Sequence, residues 1–407
     1  QSKPSTFVAD SSTAKVSGLT VTTGALANGT ATNQATVTVV DGKNNPVAGQ
    51  DVTWSQDGTA VVGTSAKTDN NGQTTVTFTD LKAQTVNITA TVNGTSQSKP
   101  STFVADSSTA KVSDLTVTTG AIANGTATNQ ATVTVVDAKG NGVAGQDVTW
   151  SQDGTAVVGT SAKTDRNGQT TVTFTDLKAE TVNITAKASS LDPGVSKPSS
   201  FIADATTAHV TLLVINVDNS TANGTSQNQA IASVMDANGN AVVNSTVTWS
   251  VDGGALLTAG TSQTNENGQA IMTLTSTKAL TVSLSARVGN TTAVVQNTTF
   301  TFIVDHLIVD VVTEGHGGPN SSIPNTIRVS AFDIKNQLMP GVNVTFRDNN
   351  VSINVGFSPS QGITDATGSL VSDVRSSSIG SQLLVAETTN SQVTQKTASV
   401  SASFSNK

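Results

Sequence analysis

The sequence predicts an all-β chain of tandem sandwich domains, and three observations carry that expectation. Residues 1–10, QSKPSTFVAD, return unchanged at 97–106, and Ser11–Val92 is matched almost letter for letter by Ser107–Ala188, at a constant offset of 96 residues. Thr, Val, Ala, Ser, Asn and Gly dominate, so β-branched strand formers alternate with turn formers rather than helix formers. A chain of 407 residues is also too long for one small core and suits three or four domains of about 100 residues.

Recurring landmarks give four repeats. Trp54, Trp150 and Trp249 each close a VTW segment, and Phe346 closes VTF at the matching place. Asp41, Asp137, Asp236 and Asp333 each end an alternating run, while Phe7, Phe103, Phe201, Phe302 and Phe404 mark the segment that ends each repeat. Boundaries are expected after Asp10, Asp106, Asp204 and Asp305. That gives a leading segment 1–10, read as the last strand of a preceding repeat or an overhang. Repeats at 11–106, 107–204 and 205–305 follow, then a divergent one at 306–407.

Within the first repeat the elements follow from period 2. Ala35, Val37 and Val39 point to one face and Thr36, Thr38 and Val40 to the other, and the same alternation runs through Val52 and Trp54, Val76 and Phe78, and Val86 to Val92. Asn71-Gly72 and Asn93-Gly94 supply residues that accept the positive φ a tight hairpin demands. Strands near Leu19, Val37, Trp54, Val61, Val76, Ile88 and Phe103 make seven in one repeat, the pattern of an immunoglobulin-like sandwich with Trp54 at its centre. The chain has no Cys and no Tyr, so no disulfide or tyrosine corner can assist and packing alone must hold each core. Pro4, Pro100 and Pro198 are expected just before the last strand, at its edge. The second repeat carries a longer final hairpin, SSLDPGV at 189–195, read as a loop insertion or as a device that alters the angle to the third repeat.

Composition narrows the function. A formal charge of -7 with only 21 Lys plus Arg gives no basic stripe for phosphates, so neither nucleic acid nor an anionic membrane is an expected partner. No run of 18 apolar residues and no basic-then-apolar leader occurs, so no membrane span or secretory leader is expected within these residues. Triplets such as Asn28-Gly29-Thr30 and Asn87-Ile88-Thr89 follow from a composition rich in Asn and Thr.

An active site needs a nucleophile, base or metal held in one place. His209, His306 and His316 are scattered over two linkers and a loop, which suggests no metal cage and no catalytic centre. Asp41, Asp51, Asp57, Asp69 and Asp80, with their second-repeat copies, read as turn and strand-edge residues. Gly58 and Gly63 have phosphate-loop spacing but lack the lysine that must follow. The fourth repeat breaks the repetition: EGHGGPN at 314–320 and FRDNNVSINVG at 346–356 place Glu314, His316, Arg347, Asp348, Asn349 and Asn350 in loops, the expected partner-binding set.

The stretch ANGTATNQATVTVVDGKNNPVAGQDVTW, followed by GTSAKTDNNGQTTVTFTD and TVNITA, resembles the group 1 bacterial immunoglobulin-like domain of the intimin and invasin adhesins, and the resemblance covers the first three repeats. The fourth keeps Asn325, Asp333, Gly341 and the final aromatic. It is immunoglobulin-like rather than lectin-like, and no barrel is present. The resemblance implies four sandwiches joined end to end in an elongated, monomeric rod of more than about 120 Å, at about 30 Å per domain. It further implies a stalk and binding segment of a bacterial adhesin, virulence-associated and held at the cell surface by an outer-membrane anchor lying elsewhere. Expected partners are a host cell-surface or soluble protein, or a glycan. A passive spacer is the alternative, and an enzyme-bearing scaffold is disfavoured because no pocket-forming motif occurs. No cofactor is expected. Calcium at the joint aspartates Asp10, Asp106, Asp204 and Asp305 is the rival, disfavoured because no D-x-D-x-D triplet accompanies them.

Overall fold

The structure, a computed structural model, describes residues 3, 5–349, 354–388 and 395–406. It divides into two compact units, Gln1–Thr207 with Asp236–Asn240, and Ala208–Met235 with Ala241–Lys407. No helix is long and apolar enough to cross a membrane among the described residues.

In the first unit, the first repeat folds as eight strands: β1 (Lys15–Val21), β2 (Ala25–Leu26), β3 (Asn33–Val40), β4 (Thr53–Gln56), β5 (Val61–Val62), β6 (Gln73–Thr79), β7 (Thr85–Val92) and β8 (Thr95–Val104). Two four-stranded sheets face each other, ordered β1-β3-β6-β5 and β2-β8-β7-β4. The alternation in β3 is realised from Ala35 to Val39, with Ala35, Val37 and Val39 buried and Thr36 and Thr38 turned outward, but Val40, expected on the outward face, is buried where the strand bridges to Pro46. Asn93 and Gly94 take φ of 44° and 81°, closing the β7–β8 hairpin as its sequence requires.

Four expectations need correction here. The eighth strand is β2, two residues that pair parallel with Phe103 and Val104, too short to leave a periodic signal. Trp54 is not the centre: it lies half-buried at the β4 edge, its indole N–H on Ser65 Oγ at 3.0 Å, and the centre is the edge-to-face pair Phe78–Phe103, ring centroids 5.8 Å apart. Pro100 sits inside β8 rather than before it, opposite Asn87, on a stretch where β8 has no second neighbour and a missing N–H costs nothing. Asn71-Gly72 forms a turn on Asp69, before β6, and not a hairpin between paired strands.

The second repeat copies this plan over Lys111–Ile202, with Phe174–Phe201 as its ring pair. Its longer hairpin lies beside the start of its own first strand, where Asp192 accepts the Val112 N–H, and not at the end leading to the third repeat. Linker aspartates Asp10 and Asp106 cap one-turn 3-10 helices, each carboxylate accepting from the serine two residues on. Phe7 lies outside any strand and is 96% exposed.

In the second unit, the third repeat runs from His209 to Thr301 and adds a strand, Thr261–Gln263, along Thr246–Thr248. That strand covers the edge, and Trp249 is accordingly 3% exposed, the buried position expected for all three tryptophans. Phe300, not Phe302, is the counterpart of Phe103, since it pairs beside Ser220 as Phe103 does beside Ala25. Phe302 packs instead into the core of the fourth repeat.

The fourth repeat has sheets His306–Thr313, Asn325–Phe332, Ser369–Ser376, Val355–Ser358 and Gln361–Ile363, Asn343–Asp348, Gly380–Thr388, Thr397–Phe404, in those orders. The buried core clusters span Ala14–Phe103, Ala110–Phe201 and Val304–Phe404, with the linker residues Ala105 and Phe302 packing on the cluster that follows them.

Candidate functional site

The candidate site is the end of the fourth sandwich formed by loop 314–324, Asn349, and the turn 376–379. The loop is pressed flat by its glycines: a Cβ on Gly317 would sit 2.6 Å from Val374 O and one on Gly318 2.6 Å from Ser405 O. Asn325 then clamps it, its Oδ1 accepting the His316 N–H at 2.9 Å while its Nδ2 donates to Ser403 O at 2.8 Å. Arg375 fixes the far side, donating from Nη1 to Ser321 O at 2.6 Å and from Nη2 to Ser322 O at 2.9 Å. The short parallel strand of the first three repeats is not formed here among the described residues, although the Gly315 and Gly318 N–H groups still reach Ser403 O of the last strand and Ser405 O just after it, at 3.3 and 3.0 Å.

The expected binding residues fall into two groups at that end. Glu314 is exposed beside the terminal strand, accepting the Ser403 N–H at 3.4 Å. His316 is half-buried, with its Nδ1 shielded and lacking a hydrogen-bond partner among the described residues. Arg347 and Asp348 are the last residues of strand Asn343–Asp348 rather than loop residues, and Arg347 Nε meets Glu387 Oε2 at 3.0 Å across the sheet. Asn349 N–H continues the ladder to Leu383 O at 3.0 Å, and Asn350 lies outside the described residues.

Strands Gly380–Thr388 and Thr397–Phe404 separate the two groups, so they share an end without touching. The turn Ser376–Ile379 bridges the gap, its N–H groups reaching Gly317 O at 2.7 Å and Asn354 O at 3.0 Å. Exposed Ile323 and Ile379 stand at this end as well. Sequence reading missed these two and Arg375, because an isolated aliphatic in a loop and a lone arginine on a strand carry no pattern.

The joint aspartates are engaged otherwise than as a cage. Asp106 Oδ1 accepts from Ser108 N and Oγ at 3.0 and 2.6 Å, and Asp305 Oδ2 lies 3.0 Å from His306 Nδ1, whose ring stacks on Phe332. Among the described residues no group of three or more His, Cys, Asp or Glu could hold a metal ion.

The sequence model of the bacterial Ig-like domain (group 1) matches residues 15–104, 112–202 and 210–303. The chain belongs to this bacterial Ig-like family. Its Ig-like repeats are 31% identical over 372 residues to the inverse autotransporter adhesin YeeJ of Escherichia coli K12, covering 84% of this chain and 16% of that protein. The chain thus spans about one sixth of the length of the curated relative it matches. Among solved structures, FdeC, an Escherichia coli adhesin, covers 72% of this chain and 100% of its own, with a TM-score of 0.50 at 20% identity, a likeness of fold. Invasin, a bacterial integrin-binding protein, covers 95% of this chain and 78% of its own, with a TM-score of 0.47 at 17% identity.

Proposed function

We propose that this chain is an extracellular stalk and binding segment of a bacterial outer-membrane adhesin, presented at the cell surface and attaching to a host protein or glycan. The observation that carries the reading is the 31% identity to an inverse autotransporter adhesin over 84% of the chain. Physical form agrees with it: the first, second and fourth repeats each have a separate core cluster, so repeats add reach and can yield one at a time. The role proposed is binding rather than catalysis, with no cofactor, a reading supported by the capping of one-turn helices by Asp10 and Asp106. Attachment is assigned to the end of the fourth repeat, where the pinned loop presents Glu314 and Ile323, with Asn349 beside strand Asn343–Asp348 and Ile379 in the turn after Ser376.

Beads carrying the full chain should retain host epithelial cells or a serum protein, with or without a calcium chelator. Glu314→Ala with Asn349→Ala should abolish retention while the circular dichroism spectrum stays unchanged. Retention that survives both substitutions would refute the assignment to this end. A full chain that retains nothing would leave the passive spacer, which the near-identity of the first two repeats favours.

A further inference from the structure

Among the described residues, and apart from the linker, the side-chain hydrogen bonds between the first repeat and the second come from one carboxamide. Asn141 Oδ1 accepts the Ala83 N–H at 2.8 Å and its Nδ2 donates to Leu81 O at 3.0 Å. Asp137 holds this carboxamide, its Oδ2 3.0 Å from Asn141 Nδ2, and the same oxygen accepts the Asp106 N–H of the linker at 3.1 Å. The capped linker turn adds Ala138 N–H to Thr109 Oγ1 at 3.1 Å. One buried carboxylate therefore ties linker, loop and preceding repeat together. The first unit repeats the device on its segment Asp236–Asn240: Asn240 takes the Ala179 N–H at 2.8 Å and donates to Leu177 O at 3.0 Å, and Asp236 accepts the Asp204 N–H at 2.9 Å.

Within the second unit, the joint between the third and fourth repeats is built otherwise. Strand register makes Thr277 and Ala279 the counterparts of Leu81 and Ala83, and Gln337 the counterpart of Asn141. Asp333 still closes its own turn, accepting the Lys335 and Gln337 N–H groups at 2.8 Å. Yet the linker Asp305 N–H goes to Phe332 O at 2.8 Å, and no capped turn precedes His306. Only six positions separate Phe300 from His306, where eight separate Phe103 from Lys111. Among the described residues the hydrogen bond across this joint is Lys335 Nζ to Asn223 O, 3.1 Å, from a flexible side chain at the surface. Beside it lies a cleft of about 1230 Å³ lined by Phe302, Ile303, Leu338, Pro340 and Gln337, against about 750 Å³ at the first joint.

We propose that the joint between the third and fourth repeats is a hinge, swinging about Thr301–Phe302, and that the joint between the first and second is locked by the carboxamide of Asn141. Phe302 and Val304 belong to the core of the fourth repeat, so the linker travels with that repeat and the cleft opens or closes against Thr277–Ala279. Two fixed hydrogen bonds from a short, carboxylate-held side chain restrict a joint, whereas one lysine on four rotatable bonds does not. The hinge lets the end of the fourth repeat reorient on its stalk.

The chain has no cysteine, so labels can be placed singly. Nitroxides at Ser98→Cys and Ser196→Cys, and in a second sample at Asn297→Cys and Ser401→Cys, report the two joints in the full chain by pulsed dipolar spectroscopy; all four positions are exposed. The distance distribution across the third–fourth joint should be at least twice as broad as that across the first–second. Equal widths would overturn the proposal. Asn141→Gln and Asn141→Ala should each broaden the first joint toward the width of the other, and an unchanged width in both would remove the carboxamide as the lock.

Discussion

Replacing Asp192 by alanine should destabilise the second repeat alone. Its carboxylate is 5% exposed and accepts three backbone N–H groups, from Ala188 at 2.8 Å, Val112 at 3.0 Å and Gly194 at 3.0 Å. Two of these bonds lie in buried surroundings, so the substitution strands donors away from water rather than releasing them to it. A stranded buried donor costs about 1–3 kcal/mol, and bonds to a charged acceptor exceed neutral ones, which puts the loss at about 3 kcal/mol. With a urea slope of about 1–1.5 kcal/mol/M for a domain of this size, the midpoint should fall by about 2–3 M. Trp150 reports the second repeat when Trp54 and Trp249 are replaced by Phe, and Trp54 reports the first in the converse background. The Trp150 transition should move and the Trp54 transition should not. A shift below about 0.5 M at Trp150, or an equal shift in both, would refute the reasoning. Burial raises the carboxyl's pKa, but the Ala188, Gly194 and Val112 N–H groups outweigh it and hold the net value below the usual range. The contribution is thus present above the unfolded carboxyl's pKa near 3.9 and is lost as pH falls through the lower folded value.

Other consequences are testable in the same way. Phe174→Ala removes one ring of the pair at the centre of the second repeat and should cost about 3–5 kcal/mol there, read at Trp150 with the first repeat unchanged. Acrylamide should quench Trp54 and Trp150 more strongly than Trp249, because only the third repeat lays a strand over its tryptophan; equal quenching would contradict the edge assignment. Side-chain and backbone donation from Asn45 lowers the Asp41 carboxyl to about 2, so the turn it organises should persist at pH 4 and open between about pH 4 and 2, followed by amide exchange at Lys43 and Asn45.

Much of the fold was legible because its signal is periodic. Ala35, Val37 and Val39 are buried for the reason their spacing gives, and the copied landmarks fixed four sandwiches. What escaped was set by contacts between distant residues. The two-residue strand Ala25–Leu26 exists only because the last strand passes beside it. Trp54 and Trp249 end the same VTW segment, yet their burial differs because a neighbouring strand forms in one repeat and not the other. Asp192 reads in sequence as part of an inserted hairpin loop, and only the fold brings it to Val112, 80 positions earlier. At the candidate site, broken repetition pointed to Glu314, His316 and Asn349, while Arg375, which holds the loop, sits in an ordinary strand and gave no sign.

The central claim is that each repeat is a self-sufficient β module. Pulling the full chain by its ends in a force spectrometer tests it most directly. Four unfolding events are predicted, each releasing about 300 Å of contour, the extension of roughly 96 residues less the folded length. A single larger release, or two events of double length, would show that the repeats share one cooperative interior and would contradict the account.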